Sequence, residues 1–368
     1  MVLLKKKGPE MYITYADNVI QYRHDILTDL HLKIPKPIIP KNLRDDQIKV
    51  LEREERNIIS LEFSKTEDYI LISTENKQIL VYDKKFNIVK TFIVNRAPSI
   101  ARFTPSDDIL VADKTGDVYL YKLHDEKLEP ILLLGHLSVI LDIAISDCGK
   151  YLITSDRDEK IRVSHFPNCY NIASYCLGHT EFVNRLKILK DILISSSGDG
   201  TIRFWDFVRG KQLSLIDTNS FIQNENLLQN FSEEMIKEKV EILALPIIDM
   251  QIYFDKIVYL AVSIYRYEFI QLYTVDISNF NSSLVSTLKV DIPFSFCLCN
   301  KLFVLSNKFS EYTLVNNVFE ENTEPWLITL YDKYKDIIKF SNINDVSVLY
   351  KRKYDNVQDY MERKKQRL

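Results

Sequence analysis

The chain has 368 residues, enough for two average domains or one large all-β domain. Its 48 Lys+Arg against 51 Asp+Glu leave a formal net charge of −3, which excludes wholesale nucleic-acid binding and confines any phosphate contact to a local patch. Only eight glycines are present, against a usual share of roughly 7%, and neither G-x-G-x-x-G nor G-x-x-x-x-G-K-[ST] occurs, so a nucleotide-dependent enzyme is disfavoured.

The opening MVLLKKKGPEM lacks the apolar core of a signal peptide, and no apolar run approaches the ~18 residues of a membrane span. Residues 11–25 read as a hairpin about Asp17-Asn18. Residues 33–57 are Pro-rich and then highly charged, a surface loop. Short alternating strands with polar turns follow at 59–83 and 101–123. Gly135-His136 then recurs as Gly178-His179, and Asp158, Ile161 and Arg162 recur as Asp199, Ile202 and Arg203. Within this repeat, strands are expected at 141–145, 151–155 and 161–164, and again at 185–188, 192–196 and 202–205. Residues 217–240 place Leu228, Phe231 and Met235 at helical spacing, a helix-bearing excursion, and strand-rich segments resume at 256–276 and 294–317. The five cysteines (Cys148, Cys169, Cys176, Cys297, Cys299) are odd in number and lack C-x-x-C spacing. Cys297 and Cys299 lie in an apolar run where a strand points both to one face, which suits buried packing better than a metal site, and the pattern points to a reducing compartment. The expectation is a soluble intracellular protein without metal or cofactor.

A period of about 43 residues with a GH dipeptide and a closing Trp205-Asp206 resembles the WD-repeat β-propeller. The expected fold is all-β, with six blades read directly and a seventh completed by N-terminal strands pairing near the C-terminus, which removes an open sheet edge. The propeller is assigned to 1–346, with excursions at 33–57 and 217–240, and a short basic C-terminal helix or tail to 347–368. In such a blade the GH histidine and the Asp of the turn before the third strand hydrogen-bond, with a strand Ser and the Trp completing a buried polar network. Here these are His179, Asp199, Ser195 or Ser196, and Trp205. The preceding blade offers His136, Asp158 and Ser155, with Ser164 at the Trp position.

The strings VADKTGDVY (111–119), GHLSVILDIAIS (135–146), SDRDEKIRVSHFP (155–167), CLGHTEFVNRL (176–186) and SSSGDGTIRFWD (195–206) closely resemble one family. It is the WD-repeat, non-catalytic subunit of the eukaryotic tRNA (guanine-N7-)-methyltransferase. DRDEKIRVS followed at its distance by CLGHTEFV is the specific part, and the terminal KRKYDNVQDYMERKKQRL is similar to the family's C-terminal segment. The resemblance implies a scaffold without catalytic residues. It binds, stabilises and orients a separate subunit, which uses S-adenosylmethionine to form N7-methylguanosine in the tRNA variable loop. It also implies a nuclear protein with some cytoplasmic presence.

Two surfaces follow as candidates. Arg157, Glu159, Lys160, Glu181 and Arg185 are expected to form one charged rim that docks the catalytic subunit, with Arg162 an internal brace salt-bridged to Glu159. Residues 351–368 hold seven basic and three acidic residues, and Tyr350, Tyr354, Val357 and Met361 would form one apolar stripe on a helix. Their basic face, with Lys351, Arg352, Lys353, Lys364 and Lys365, is a candidate tRNA contact. The competing reading is a generic protein-interaction propeller, such as a ubiquitin-ligase adaptor or chromatin scaffold, with no tRNA role.

Overall fold

The computed structural model describes residues 2–38, 56–222, 224–315, 318–322, 324–340 and 345–352. Alternating apolar and polar residues give short strands, and the described residues arrange them in seven antiparallel four-stranded sheets, each built from four consecutive strands. The sheets span 2–33, 58–93, 98–135, 140–176, 183–217, 247–289 and 295–322 and form blades one to seven of a β-propeller. The strands expected around the GH repeat appear within two residues of their predicted ends. Pairing register places Tyr82 and Ser164 opposite Ile70 and Leu152, the position that Trp205 takes opposite Leu193.

The first strand of each blade is the inner one. Inner strands pack side by side around a central channel, and that of the first blade (Val2–Lys7) lies beside that of the seventh (Ser295–Leu298). Closure differs from expectation. The N-terminal residues build a complete first blade and, among the described residues, exchange no strand with the C-terminus. Val2, Leu4 and Met11 instead pack with Cys297, Phe303 and Phe309 in one apolar cluster. Helix α2 (Pro325–Tyr334) seals this seam by burying Leu327, Leu330 and Tyr334, while helix α1 (Glu225–Lys237) covers the side of blades five and six with Phe231 and Met235. The expected excursion at 217–240 therefore carries a helix as read. The expected loop at 33–57 falls mostly outside the described residues. The first hairpin turns at Ala16-Asp17, one residue earlier than expected, with Ala16 at φ 46°.

Bulges aim the inner strands' polar residues. In blades two to six the pairing of the first strand skips one residue, Ile59, Ser99, Leu141, Asn184 and Ile248 respectively. Channel-facing charges then join blade to blade. Lys5 donates to Glu62 at 2.8 Å, Glu62 also pairs with Arg102, and Arg102 Nη2 donates to Asp142 Oδ1 at 2.8 Å. Asp142 Oδ2 accepts the Leu186 backbone N–H at 2.9 Å, and Arg185 Nε donates to Asp249 at 2.7 Å. Burial alone would raise the Glu62 pKa, but Arg102, Lys5 and Lys187 outweigh it and hold the carboxyl at about 2.

Asp142, 1% exposed at its side chain, also accepts from the Ile143 N–H and so serves blades three, four and five at once. Asp142→Ala leaves the Arg102 guanidinium and the Leu186 N–H without that partner. The expected loss is about 3–5 kcal/mol by chemical denaturation. A denaturation midpoint equal to wild type would refute the relay.

Candidate partner-docking face

The side chains that shape this face come from the fifth blade's buried polar network. His179 is carried on the loop entering the blade, and its Nδ1 meets Asp199 Oδ2 at 2.9 Å. Its Nε2 meets Ser195 Oγ at 2.8 Å, and Trp205 Nε1 donates to the same Ser195 oxygen at 2.8 Å. One proton assignment satisfies all three contacts: Trp205 N–H to Ser195, Ser195 O–H to Nε2, and Nδ1–H to the carboxylate. It requires a neutral imidazole. Burial lowers the His179 pKa despite Asp199. Burial would raise Asp199, but hydrogen bonds from His179 and Thr201 hold it at about 2. Ser195, rather than Ser196, completes the network. Ser196 Oγ donates instead to Asn184.

The fourth blade corrects its expected network. His136 Nδ1 meets Asp156 Oδ2 at 2.9 Å and Nε2 meets Thr154 Oγ1 at 2.8 Å, so Asp158 and Ser155 are not its partners. Asp156 ends the second strand, where the fifth blade has Ser197. Its carboxylate reaches the ring from that position and also accepts the turn N–H groups of Asp158 and Lys160. Ser197 is too short to do this, so in the fifth blade the task passes to Asp199. The turn there fits because Gly198 lies where a side chain would strike the Phe182 ring, and Gly200 takes φ 75°.

Of the expected rim, Arg157, Glu159, Lys160 and Glu181 share one face with the loop entering each blade. Arg157 sits 3.7 Å from Asp158, and Glu159 pairs with Lys351. Lys160 is exposed and makes no ion pair among the described residues. Two expectations are corrected. Arg185 is not on the rim, because the Asn184 bulge turns it into the channel against Asp249. Arg162 is a brace, but not to Glu159: it donates to Ser164 Oγ at 2.9 Å and to the Cys169 carbonyl at 2.7 Å, filling the space left where Trp is replaced by Ser164.

The chain's last described residues run across this face. Tyr350 is 3% exposed, donates to the Gly198 carbonyl at 3.2 Å and meets the Phe182 ring edge-on at 5.0 Å between centroids. Burial, then Glu181 and Asp199, push its phenol pKa up. Tyr350 is extended after a single turn at Ser347–Leu349, so it does not begin a helix. Lys351 meets Glu159, and Arg352 meets Glu238 at 2.9 Å. Lys353, Lys364 and Lys365, with Tyr354, Val357 and Met361, lie outside the described residues. Sequence reasoning missed Tyr350 as an anchor, for which a lone aromatic gives no signal. It also missed α2, which Pro325 followed by Leu327, Leu330 and Tyr334 at helical spacing does signal.

The two networks predict distinct mutant effects. Asp199→Ala and Asp156→Ala should each cost roughly 1–3 kcal/mol, because each strands a histidine, while Asp158→Ala should be near neutral. Equal melting of all three variants would contradict the assignment. The lowered His179 pKa sets the sign with pH. The unfolded chain takes up a proton near the usual value of about 6.5 and the folded chain does not, so stability falls as pH drops through that value. His179→Gln should flatten that part of the stability–pH curve.

The family model described as the tRNA methyltransferase TRM82 WD40 domain matches residues 122–294. The tRNA (guanine-N(7)-)-methyltransferase non-catalytic subunit wuho of Drosophila grimshawi is 30% identical over 98% of this chain and 96% of its own length. The Drosophila willistoni wuho subunit is 32% identical over 85% of this chain and 76% of its own. The Dictyostelium discoideum non-catalytic subunit wdr4 is 40% identical over 45% of this chain, and the match spans 41% of that protein's length. A chain of the mitotic checkpoint complex crystal structure superposes with a TM-score of 0.63 at 11% identity, covering 82% of this chain and 85% of that one. The β-propeller domain of Myceliophteria thermophila Cps50 (Swd1) gives 0.60 at 12% identity, covering 83% and 91%. At such identities these two structures speak to the fold alone.

Proposed function

The chain belongs to the family of WD-repeat non-catalytic subunits of the tRNA (guanine-N7-)-methyltransferase, and from that premise we propose that it is a scaffold for a catalytic partner. It binds that subunit as a heterodimer, stabilises it and orients it while the partner forms N7-methylguanosine in the tRNA variable loop. We place the complex in the nucleus, with some cytoplasmic presence.

Lys160 carries the docking reading. It is an exposed cation without an ion pair among the described residues, on a turn whose backbone Asp156 pins through two hydrogen bonds. A charge presented on a fixed turn needs little ordering on association, and a rim charge acts on encounter and register. Arg157, Glu159 and Glu181 flank it on the same face. The tRNA contact is assigned to the basic segment 351–368. Lys351 and Arg352 already meet Glu159 and Glu238, so a phosphate must exchange with those carboxylates, and the contact weakens as salt rises.

Lys160→Glu should leave the melting temperature unchanged and weaken the complex with the catalytic subunit about tenfold, measured by calorimetry. A variant that binds like wild type removes this turn from the interface. If tRNA and the methyltransferase both fail to bind the wild-type chain, the generic interaction propeller is the better reading.

A further inference from the structure

The channel encloses about 630 Å³, and its lining holds an uneven set of charges. Inner strands place four cations there, Lys5, Arg102, Arg185 and Lys187, and the turns add Lys114 and Arg157, against the lining carboxylates Glu62, Asp249 and Glu75, which accepts from Asn57, and against Asp142, which pairs with Arg102. Every carboxylate is already engaged. Glu62 is held by Lys5 and Arg102, Asp142 by Arg102 and two backbone N–H groups, and Asp249 by Arg185 and Gln251. Lys187 is left over. Two residues beyond Arg185 on the same strand, it faces the same channel yet makes no hydrogen bond or ion pair among the described residues.

A partly buried ammonium without a protein partner is held by water, takes a counter-ion from solvent, or sheds its proton. Burial, Arg102 and Lys5 disfavour the charged form, and Glu62 and Asp142 only partly offset them. The channel has room for an ion as well as water, and its lining carries more cations than carboxylates. We propose that the central channel is an anion site in which Lys187 holds one small monoanion, a halide or a singly charged oxyanion. The anion extends the blade-to-blade relay at the point where the protein supplies no carboxylate. The site does not use Lys160, which carries the docking reading, so it stands or falls independently of the methyltransferase reading.

Melting of the full chain, with gluconate replaced by chloride at constant ionic strength, tests the site in solution. Wild type should show a saturable rise in melting temperature with chloride, as expected for a ligand that binds only the folded state. Acetate in place of chloride distinguishes a halide site from an oxyanion site, and a saturable rise with either supports the proposal. Lys187→Met should abolish the rise, and Lys187→Arg should retain it. An identical anion response in Lys187→Met overturns the site. Bromide-soaked crystals of the wild-type chain give a test that needs no variant. An anomalous peak within hydrogen-bond reach of Lys187 Nζ is expected for a halide, and an empty position there together with no saturable response to acetate contradicts the site.

Discussion

The Asp142 carboxylate holds an interaction on which much of the ring depends. It accepts from Arg102 of the third blade, from its own strand and from Leu186 of the fifth. Arg102 reaches on to Glu62 and thence to Lys5, while Arg185 meets Asp249. Six of the seven blades are thereby joined by hydrogen bonds along the channel. The seam between the first and seventh relies on apolar packing, with α2 laid across it and tied to Asp29 of the first blade through Lys333 and Tyr334. Hydrophobic burial supplies most of the stabilisation and is tolerant of angle. The directional bonds around Asp142 are what set the rotation of one blade against the next.

That geometry matters for the docking face because its parts come from different blades. Glu159 lies on a turn of the fourth blade, Gly198 on a turn of the fifth, and Glu238 just beyond α1. Residues 350–352 touch all three, through Tyr350 on Gly198, Lys351 on Glu159 and Arg352 on Glu238. The exposed ion pairs here contribute little stability, typically below about 1 kcal/mol each. The Tyr350 anchor is the strong contact, and it fixes residues 350–352 against the propeller.

Much of the architecture was legible because WD-repeat chemistry is local. The fifth blade carries His179, Asp199 and Trp205 at the places the WD-repeat pattern gives them, and only the choice between Ser195 and Ser196 was left to the structure. The fourth blade did not, since Asp156 and Asp158 are both plausible partners in sequence, and the choice depends on which carboxylate stands at the strand's end. Arg185 looked like a rim charge because a bulge cannot be seen in the sequence, and the bulge is what turns the residue into the channel. The first blade was read as a lone hairpin because its fourth strand, Thr28–Lys33, is largely exposed and gives almost no apolar alternation. Long-range pairings such as Lys5 with Glu62 have no sequence signal at all.

The most direct test of the scaffold reading is recovery of the full chain from its own cells through an affinity tag, followed by mass spectrometry and RNA sequencing of what comes with it. The account predicts a near-stoichiometric methyltransferase subunit together with tRNA. Recovery of ubiquitin-ligase or chromatin components, with neither methyltransferase nor tRNA enriched, would contradict it.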